Sequence, residues 1–242
     1  MDPELYINVC GIGSPPSGGW YLSKEVEVQR LYYIYGGTGQ YTGGDGQMHH
    51  FQAGYLYLFP YNLRDHFVSS EIDPIRHLYF DFLSTPPIIA SEPFVLNPAG
   101  YHNLLEALNL AKNLITDGGN KHLHKEPLRT HLLRLLLTLI DEIQLIPYSS
   151  DTTVCQTLAT IQSQYAQSLT VIQLAEDAGF EENYFIRRFR SVMGLTPYAY
   201  LRNYRLMQAR RLLNTGVSMA AAASQVGYES AASLSRALRS CS

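Results

Sequence analysis

Leu169-Thr170-Val171-Ile172-Gln173-Leu174-Ala175-Glu176-Asp177-Ala178-Gly179-Phe180 is echoed 48 residues later by Val217-Ser218-Met219-Ala220-Ala221-Ala222-Ala223-Ser224-Gln225-Val226-Gly227-Tyr228. Thr170 and Ser218 are N-cap residue types, whose hydroxyls satisfy free amides in a first helical turn. Ala175 and Ala223 each sit four residues before a glycine. Small side chains there let a second helix cross closely, and the glycine permits a left-handed turn between the two helices. This is the physical content of a helix-turn-helix. A second helix is expected after each turn, over Glu182–Val192 and from Ser230 to about Arg239. There the offset becomes 49, so Phe185 matches Leu234, Arg187 matches Arg236 and Phe189 matches Leu238. The aromatic and leucine residues are read as facing the core, and the arginines as facing out.

Between the two units, Gly194-Leu195-Thr196-Pro197 breaks the chain and starts a long helix to about Leu213 that carries Arg202, Arg205, Arg210 and Arg211. Seventeen helical residues span about 25 Å at ~1.5 Å each. That length suits two recognition helices set roughly one DNA turn apart, ~34 Å, on one face of a duplex.

The text before residue 150 reads differently. Leu31–Tyr35, Gln40–Thr42, Tyr55–Phe59 and Arg76–Phe82 are short aromatic and branched runs separated by Gly, Asp and Pro turn signals. Such runs indicate an antiparallel sandwich or barrel. In the last of them Leu78, Phe80 and Phe82 alternate with His77, Tyr79 and Asp81, giving one apolar face and one with polar handles. After Asn97-Pro98 the period becomes helical, with Leu104, Leu105, Leu108, Ala111, Lys112 and Ile115 running to Asp117. A second helix, Pro127 to Ile146, is apolar nearly all round, which implies burial on more than one side. Its leucines Leu132, Leu136 and Leu139 with Ile143 are the candidate dimerisation residues. Pro147–Asp151 is polar and reads as a linker.

Charge divides along the same line. The 242 residues carry a formal net charge of −3, yet residues 1–150 hold −6 and residues 151–242 hold +3, all of the latter's basic residues being Arg. Arg suits bidentate contacts to guanine and phosphate. No stretch is long and apolar enough for a membrane span, and the N-terminus lacks the basic region of a secretory signal. Cys10, Cys155 and Cys241 form no metal or disulfide spacing, which fits a reducing, cytoplasmic setting.

Leu174-Ala175, Gly179-Phe180, Phe185, Arg187, Phe189, Gly194-Leu195-Thr196-Pro197, Tyr200-Leu201, Arg205, Ala209-Arg210 and Leu212-Leu213, then Ala223, Gly227-Tyr228, Leu234 and Arg236, resemble the DNA-binding domain of the AraC/XylS family of bacterial transcription regulators. The resemblance covers about residues 155–240. Residues before it are similar to that family's cupin-type effector domain in the Gly36–Gly39 turn, in Gly54 with Pro60 six residues on, and in the aromatic strand ending at Asp81-Phe82. The resemblance implies a multidomain α+β chain. Residues 1–97 form an N-terminal antiparallel cupin-like β-barrel, and residues 98–147 two packed helices that serve dimerisation. A linker follows at 148–153, and an all-α domain with two helix-turn-helix units at 154–242.

The family's mode of binding, carried over residue by residue, puts Glu182, Asn183, Ile186, Arg187 and Arg190 of the first unit in the major groove of double-stranded DNA. Ala231, Ala232, Ser235, Arg236 and Arg239 follow for the second. Arg187 is the candidate guanine reader and Asn183 the candidate adenine reader. The family normally follows the second unit with another Gly-x-Ser/Thr-Pro break, whose place would be residue 243. Leu234 and Leu238 also stand where aromatics are usual, so the second unit is expected to pack loosely and bind DNA weakly. Tyr33, Tyr35, Tyr55, Tyr57, His77, Tyr79 and Asp81 are the candidate lining of an effector pocket, suited to a sugar or another small polar molecule.

The residues thus point to a ligand-responsive regulator, not an enzyme. It is expected to be cytoplasmic, homodimeric through the Leu132–Ile143 region and, by family habit, an activator, with RNA polymerase as a further partner. One alternative is an effector-binding protein whose DNA domain is impaired by its short C-terminus. Another, weaker, is a metal-dependent cupin enzyme. His49 and His50 are adjacent, so on a strand they face opposite ways and form no His-x-His pair; His66 and His77 bring no third convergent ligand. No metal and no cofactor are expected. Gly37-Thr38-Gly39 precedes a strand and a turn, not a helix, so it reads as a hairpin and not as a phosphate loop.

Overall fold

Arg76–Thr85 (β7) and Gln29–Gly36 (β2) pair antiparallel at the centre of a five-stranded sheet. Glu4–Gly13 (β1) flanks β7, and Tyr55–Phe59 (β5) and then Phe94–Leu96 (β8) flank β2, giving the order β1-β7-β2-β5-β8. A second sheet has the order β4-β3-β6, from Met48–His50, Gly39–Thr42 and Phe67–Ser69. The structure is a computed structural model, and it describes residues 3–14, 28–61, 67–116, 126–143 and 146–240. Among the described residues the strands form these two separate ladders, so the sheets face each other without closing the hydrogen-bonded barrel that the sequence implied. Candidate ligand His66 lies outside the described residues.

The large sheet is buried on both faces. Tyr32, Ile34, Tyr57 and Phe59 point toward the small sheet and pack with its Tyr41 and Phe67 and with Phe51 and Ile75. Leu31, Tyr33, Leu56, Leu58, Leu78, Phe80 and Phe82 point the other way, onto two helices, His102–Thr116 (α1) and Glu126–Ile143 (α2). A sheet covered on both sides carries apolar residues at successive positions, and alternation alone does not say which faces which way.

Strand β1 escapes a sequence reading for a related reason. Its inward residues are Leu5 and Ile7, then Cys10 and Ile12, because a bulge between Ile7 and Val9 shifts the register against β7. One extra residue reverses the phase of the alternation. Gly11 lies opposite Tyr79, and a Cβ there would come within 2.6 Å of the Tyr79 hydroxyl, so this strand position takes no larger residue without displacing the ring.

Helix α2 corrects the dimerisation reading. Leu132 and Leu136 are buried with Leu133, Leu137 and Ile140 against α1 and the sheet, inside their own subunit. Leu139 and Ile143 are half-buried, while Leu135 keeps 42% of its surface exposed. The helix is apolar nearly all round, but one side already meets the sheet, so only the Leu135–Leu139–Ile143 side remains at the surface.

The chain divides between Tyr148 and Ser149 into two compact units. Among its described residues the second contains six helices: Thr152–Gln164 (α3), Val171–Asp177 (α4), Glu182–Met193 (α5), Pro197–Asn214 (α6), Met219–Gln225 (α7) and Ala231–Ser240 (α8). Of the residues read as linker, Tyr148 pairs with Ile88 in an isolated bridge, Asp151 caps α3, and Thr152 and Thr153 open that helix. Polar residues that look like linker in sequence are the same types that cap helices.

Leu136→Ala should lower the unfolding free energy by about 2–5 kcal/mol through lost burial and a residual cavity. Leu135→Ala should change it by less than about 1 kcal/mol in the monomer. Urea denaturation of both variants, at concentrations where the chain is monomeric, separates the two; equal losses would contradict this assignment of the helix faces.

Candidate DNA-binding surface and effector interior

Each helix pair is built by its own caps. The Thr170 hydroxyl accepts the Gln173 amide at 3.2 Å, while the Gln173 side chain accepts the Thr170 amide at 3.0 Å, a reciprocal capping box at the start of α4. Ser218 caps α7 by accepting the Ala221 amide at 3.3 Å. Helix α4 ends with the Phe180 amide donating to the Ala175 carbonyl, and α7 with the Tyr228 amide donating to Ala223, both at 2.9 Å. Gly179 and Gly227 carry φ of 73° and 77° at these turns. This is the left-handed helix stop that glycine adopts without a Cβ clash. Ala175 and Ala223 are each 1% exposed, so nothing larger than a methyl group separates the paired helices.

The second helix of each unit then starts from a different cap. The Glu181 carboxylate accepts the amides of Asn183 and Tyr184 at 2.9 Å each, which hold that carboxyl below its ordinary value. At α8 the Ser230 hydroxyl accepts the Ser233 amide at 3.2 Å. The second turn is one residue longer, which is why the offset changes from 48 to 49. With that offset the exposed faces coincide. Asn183, Arg187 and Arg190 are exposed and Glu182 and Ile186 half-buried; Ala232, Arg236 and Arg239 are exposed and Ala231 and Ser235 half-buried. Asn183, Arg187, Arg190, Ala232, Arg236 and Arg239 therefore lie on the side away from buried Phe185, Phe189 and Leu234, while half-buried Glu182, Ile186, Ala231 and Ser235 flank that core. Leu234 is completely buried with Leu206, Ala209, Ala222, Ala223 and Val226, while Leu238 is only half-buried where its counterpart Phe189 is completely so.

Helix α6 joins the two units through their cores. Gly194 ends α5 in the left-handed conformation, and the Thr196 hydroxyl accepts the Ala199 amide with Pro197 in the first turn. The Tyr200 ring meets Phe189 edge-on at 6.1 Å, and further along Leu206 and Ala209 enter the second core. Arg205 is not a surface charge. Its Nε donates to the Tyr165 carbonyl and a terminal nitrogen to the Gln167 carbonyl, both at 2.7 Å, and it lies beside the turn at Gly227. A guanidinium fork spans the two acceptors that lead into the first unit while touching the second unit's turn. Arg188 is also structural: its Nε donates to Asp151 at 3.0 Å and its guanidinium lies 5.3 Å from the Phe180 ring centre.

A helix-turn-helix domain family matches residues 163–241. The Bacillus subtilis helix-turn-helix-type transcriptional regulator YbfI is 32% identical over 132 residues, covering 52% of this chain and 46% of YbfI. YisR of the same organism is 30% identical over 106 residues, covering 43% of this chain and 37% of YisR. The chain thus matches less than half the length of either relative. An apo variant of ToxT from Vibrio cholerae shares the fold across 100% of this chain and 94% of its own, with a TM-score of 0.65 at 10% identity. Residues 163–241 thus carry a helix-turn-helix domain like that of transcriptional regulators.

The first compact unit holds the residues predicted for an effector, and the structure divides them. Tyr55, Tyr57, His77, Tyr79 and Asp81 are on the side of the large sheet that faces the small sheet, as are Tyr32 and Arg30, which the sequence reading passed over. Tyr33 and Tyr35 lie on the opposite side, with the helices: Tyr33 packs with Leu31 and Leu56, and Lys112 of α1 lies 5.1 Å from the Tyr35 ring. They are adjacent in sequence to inter-sheet residues and therefore point away from them. The inter-sheet space is filled by Tyr32, Tyr41, Phe51, Tyr57, Phe59 and Phe67, with ring centres 4.9–6.4 Å apart. A cleft of about 410 Å³ lies elsewhere, lined by Pro3, Leu5, Arg134, Leu137, Thr138, Asp141 and Tyr148, and none of the residues predicted for the effector reaches it.

Buried charge marks one end of the aromatic interior. Arg30 and Asp81 face each other across β2 and β7, with Nε and Oδ1 4.0 Å apart and both side chains less than a tenth exposed. The Tyr32 hydroxyl donates to Asp81 at 3.2 Å. Burial pushes the Asp81 carboxyl up to about 6, against the pull of Arg30 and Tyr32. Burial pushes His77 down to about 4, partly offset by its hydrogen bond of 3.0 Å to the Gly13 carbonyl. Among the described residues no group of three His, Cys, Asp or Glu is placed to hold a metal ion.

These two groups have opposite linkage. Between about pH 4 and 6 the folded chain keeps a proton on Asp81 that the unfolded chain has lost, so this group lowers stability as pH rises. Folded His77 lacks a proton that the unfolded chain binds between about pH 4 and 6.5, so it raises stability as pH rises. In the wild type the two slopes largely cancel. Asp81→Asn should therefore gain roughly 2–3 kcal/mol between pH 4 and 6.5 relative to wild type, and His77→Gln should lose a similar amount. Urea titrations across this range read the slopes; three parallel profiles would rule out the burial of these charges.

Proposed function

We propose that the chain is a ligand-responsive bacterial transcription regulator that binds specific DNA through both helix-turn-helix units. The observation that carries this reading is the coincidence of the exposed sides of α5 and α8, each with two arginines three residues apart. In a helix-turn-helix the second helix lies in the major groove with its N-terminal residues on base edges. On α5 those residues are Glu182, Asn183, Ile186 and Arg187, with Arg187 suited to guanine and Asn183 to adenine. The helix-turn-helix match and the resemblance to AraC/XylS regulators favour a regulator over an enzyme and, by family habit, an activator; we read it as cytoplasmic, with RNA polymerase as a further partner. No helix of the described residues is long and apolar enough to cross a membrane.

The cupin-type first unit is read as the effector domain. Tyr57, Tyr79 and Tyr32 offer ring faces, and Asp81, His77 and Arg30 offer polar groups, a combination suited to a small polar molecule such as a sugar. A buried Arg30 whose guanidinium lies 5.9 Å from the Phe67 ring favours a second class, apolar carboxylates. ToxT, whose fold is shared, has been solved with an unsaturated fatty acid bound. Entry of either class requires the aromatic packing to open. We place a homodimer contact on the Leu135, Leu139 and Ile143 side of α2, with exposed Leu110 of α1 as a further apolar residue.

Gel-shift titration of the full chain against the DNA upstream of its own gene, at several salt concentrations, tests the DNA reading. Specific DNA should bind at least about a thousandfold more tightly than random duplex, and Arg187→Ala should weaken it by about ten- to a hundredfold. Equal binding to both, unchanged by the substitution, would remove the proposal. Thermal-shift screening against sugars and fatty acids distinguishes the effector classes. Sedimentation tests the contact on α2: the wild type should be dimeric at micromolar concentration, and Leu135→Glu should yield monomers.

A further inference from the structure

We propose that the two recognition helices divide the reading of DNA, with α5 discriminating bases by hydrogen bonding and α8 selecting thymine by methyl contact through Ala231 and Ala232. The inference rests on the DNA-binding reading above and specifies what the second unit recognises.

The argument starts from equivalent positions. Counting from the buried Phe185 and Leu234, Glu182 corresponds to Ala231, Asn183 to Ala232, Ile186 to Ser235, Arg187 to Arg236 and Arg190 to Arg239. At all five pairs the degree of exposure is the same. The two helices therefore present matched positions with different chemistry. The arginines are common to both and do not distinguish them. The difference lies in the first turn, which is the part of a recognition helix that meets base edges.

On α5 that turn offers a carboxylate and an amide. A carboxylate accepts from the cytosine amino group, and an amide pairs with both N6 and N7 of adenine. On α8 the same two positions offer only methyl groups. A methyl neither donates nor accepts, so burying it against a base-edge amino or carbonyl group leaves that group without the water it loses. The one base-edge feature that gains from an alanine is the C5-methyl of thymine. Ser235, one turn on, bonds a donor or an acceptor alike and adds little discrimination. The alanine positions have a fixed scaffold beneath them: Leu234 is completely buried, and Ser230 caps the helix. The operator should then contain one block of mixed, well-defined sequence and, about ten base pairs away, a block defined mainly by thymine.

The test uses the full chain and a duplex library with a randomised core of about 24 base pairs, long enough for two half-sites one turn apart. Retained duplexes are sequenced, and the best one is rebuilt with deoxyuridine in place of thymidine, one block at a time. Uracil keeps every hydrogen-bonding group and lacks only the methyl. We expect about a fourfold loss of affinity for each contacted thymine replaced in one block. We expect less than about a twofold change in the other. Asn183→Ala should blur the uracil-insensitive block alone. Ala232→Asn, at an exposed position of a first helical turn, should select adenine in the other block and abolish the uracil effect there, with an unchanged melting temperature as evidence of folding.

Failure to enrich any sequence would overturn the DNA-reading proposal and this inference with it. Enrichment followed by uracil-insensitive binding in both blocks would overturn the thymine inference alone, as would an Ala232→Asn variant that selects the same sequence as the wild type.

Discussion

A methyl-sized gap between two helices is the constraint on which the DNA-binding unit depends. Ala175 and Ala223 are buried to 1% exposure and are followed, four residues on, by glycines at φ near 75°. The small residue lets the second helix cross over the first, and the glycine turns the chain so that it does. The angle of crossing places Phe185, Phe189 and Leu234 inward and, by helical periodicity, places Arg187, Arg190, Arg236 and Arg239 outward. Larger residues at either alanine would separate the helices and change the direction of every side chain on α5 or α8.

The same economy extends to the connection between units. Helix α6 contributes Tyr200 to one core and Leu206 and Ala209 to the other. Arg205, between them, binds the carbonyls of Tyr165 and Gln167 and lies against the Gly227 turn. Those carbonyls follow the end of α3, and the Gln167 carbonyl also accepts the Leu169 amide at 2.8 Å, so the guanidinium ties the chain leaving the helix C-terminus to α6. A basic residue in the middle of a helix that carries other arginines is thus a strut, and the charge available to DNA is correspondingly smaller than the composition suggests.

The first unit follows a different logic. Its large sheet has helices on one face and a second sheet on the other, and the aromatic rings between the sheets occupy the volume that an effector pocket would need. The charged pair Arg30–Asp81 is kept in this interior with a tyrosine hydroxyl on the carboxylate. Such a pair is expensive to desolvate and is weak evidence for stability. Under the effector reading proposed above, it would serve as a polar foothold for a ligand that displaces part of the packing.

The helical half was legible almost residue by residue, because caps, left-handed glycines and small crossing residues act within a dozen neighbours and leave their mark in the sequence. The repeat at 48 and then 49 residues even recorded the extra residue in the second turn. In the sheet half, strands β2, β5 and β7 were legible by composition. The bulge that reverses β1, the facing of Tyr32 rather than Tyr33 toward the small sheet, and the open edges between the two ladders were not. Pairing across 49 residues, as between Tyr32 and Asp81, is decided by which faces find cover, and a sheet covered on both sides erases the alternation that would reveal it. Likewise the leucines of α2 announced burial on several sides, but only packing against α1 and the sheet determined that Leu132 and Leu136 are internal and Leu135 is at the surface. Local stereochemistry was written in the sequence; the direction of a side chain between two competing apolar surfaces was settled only when both surfaces were in place.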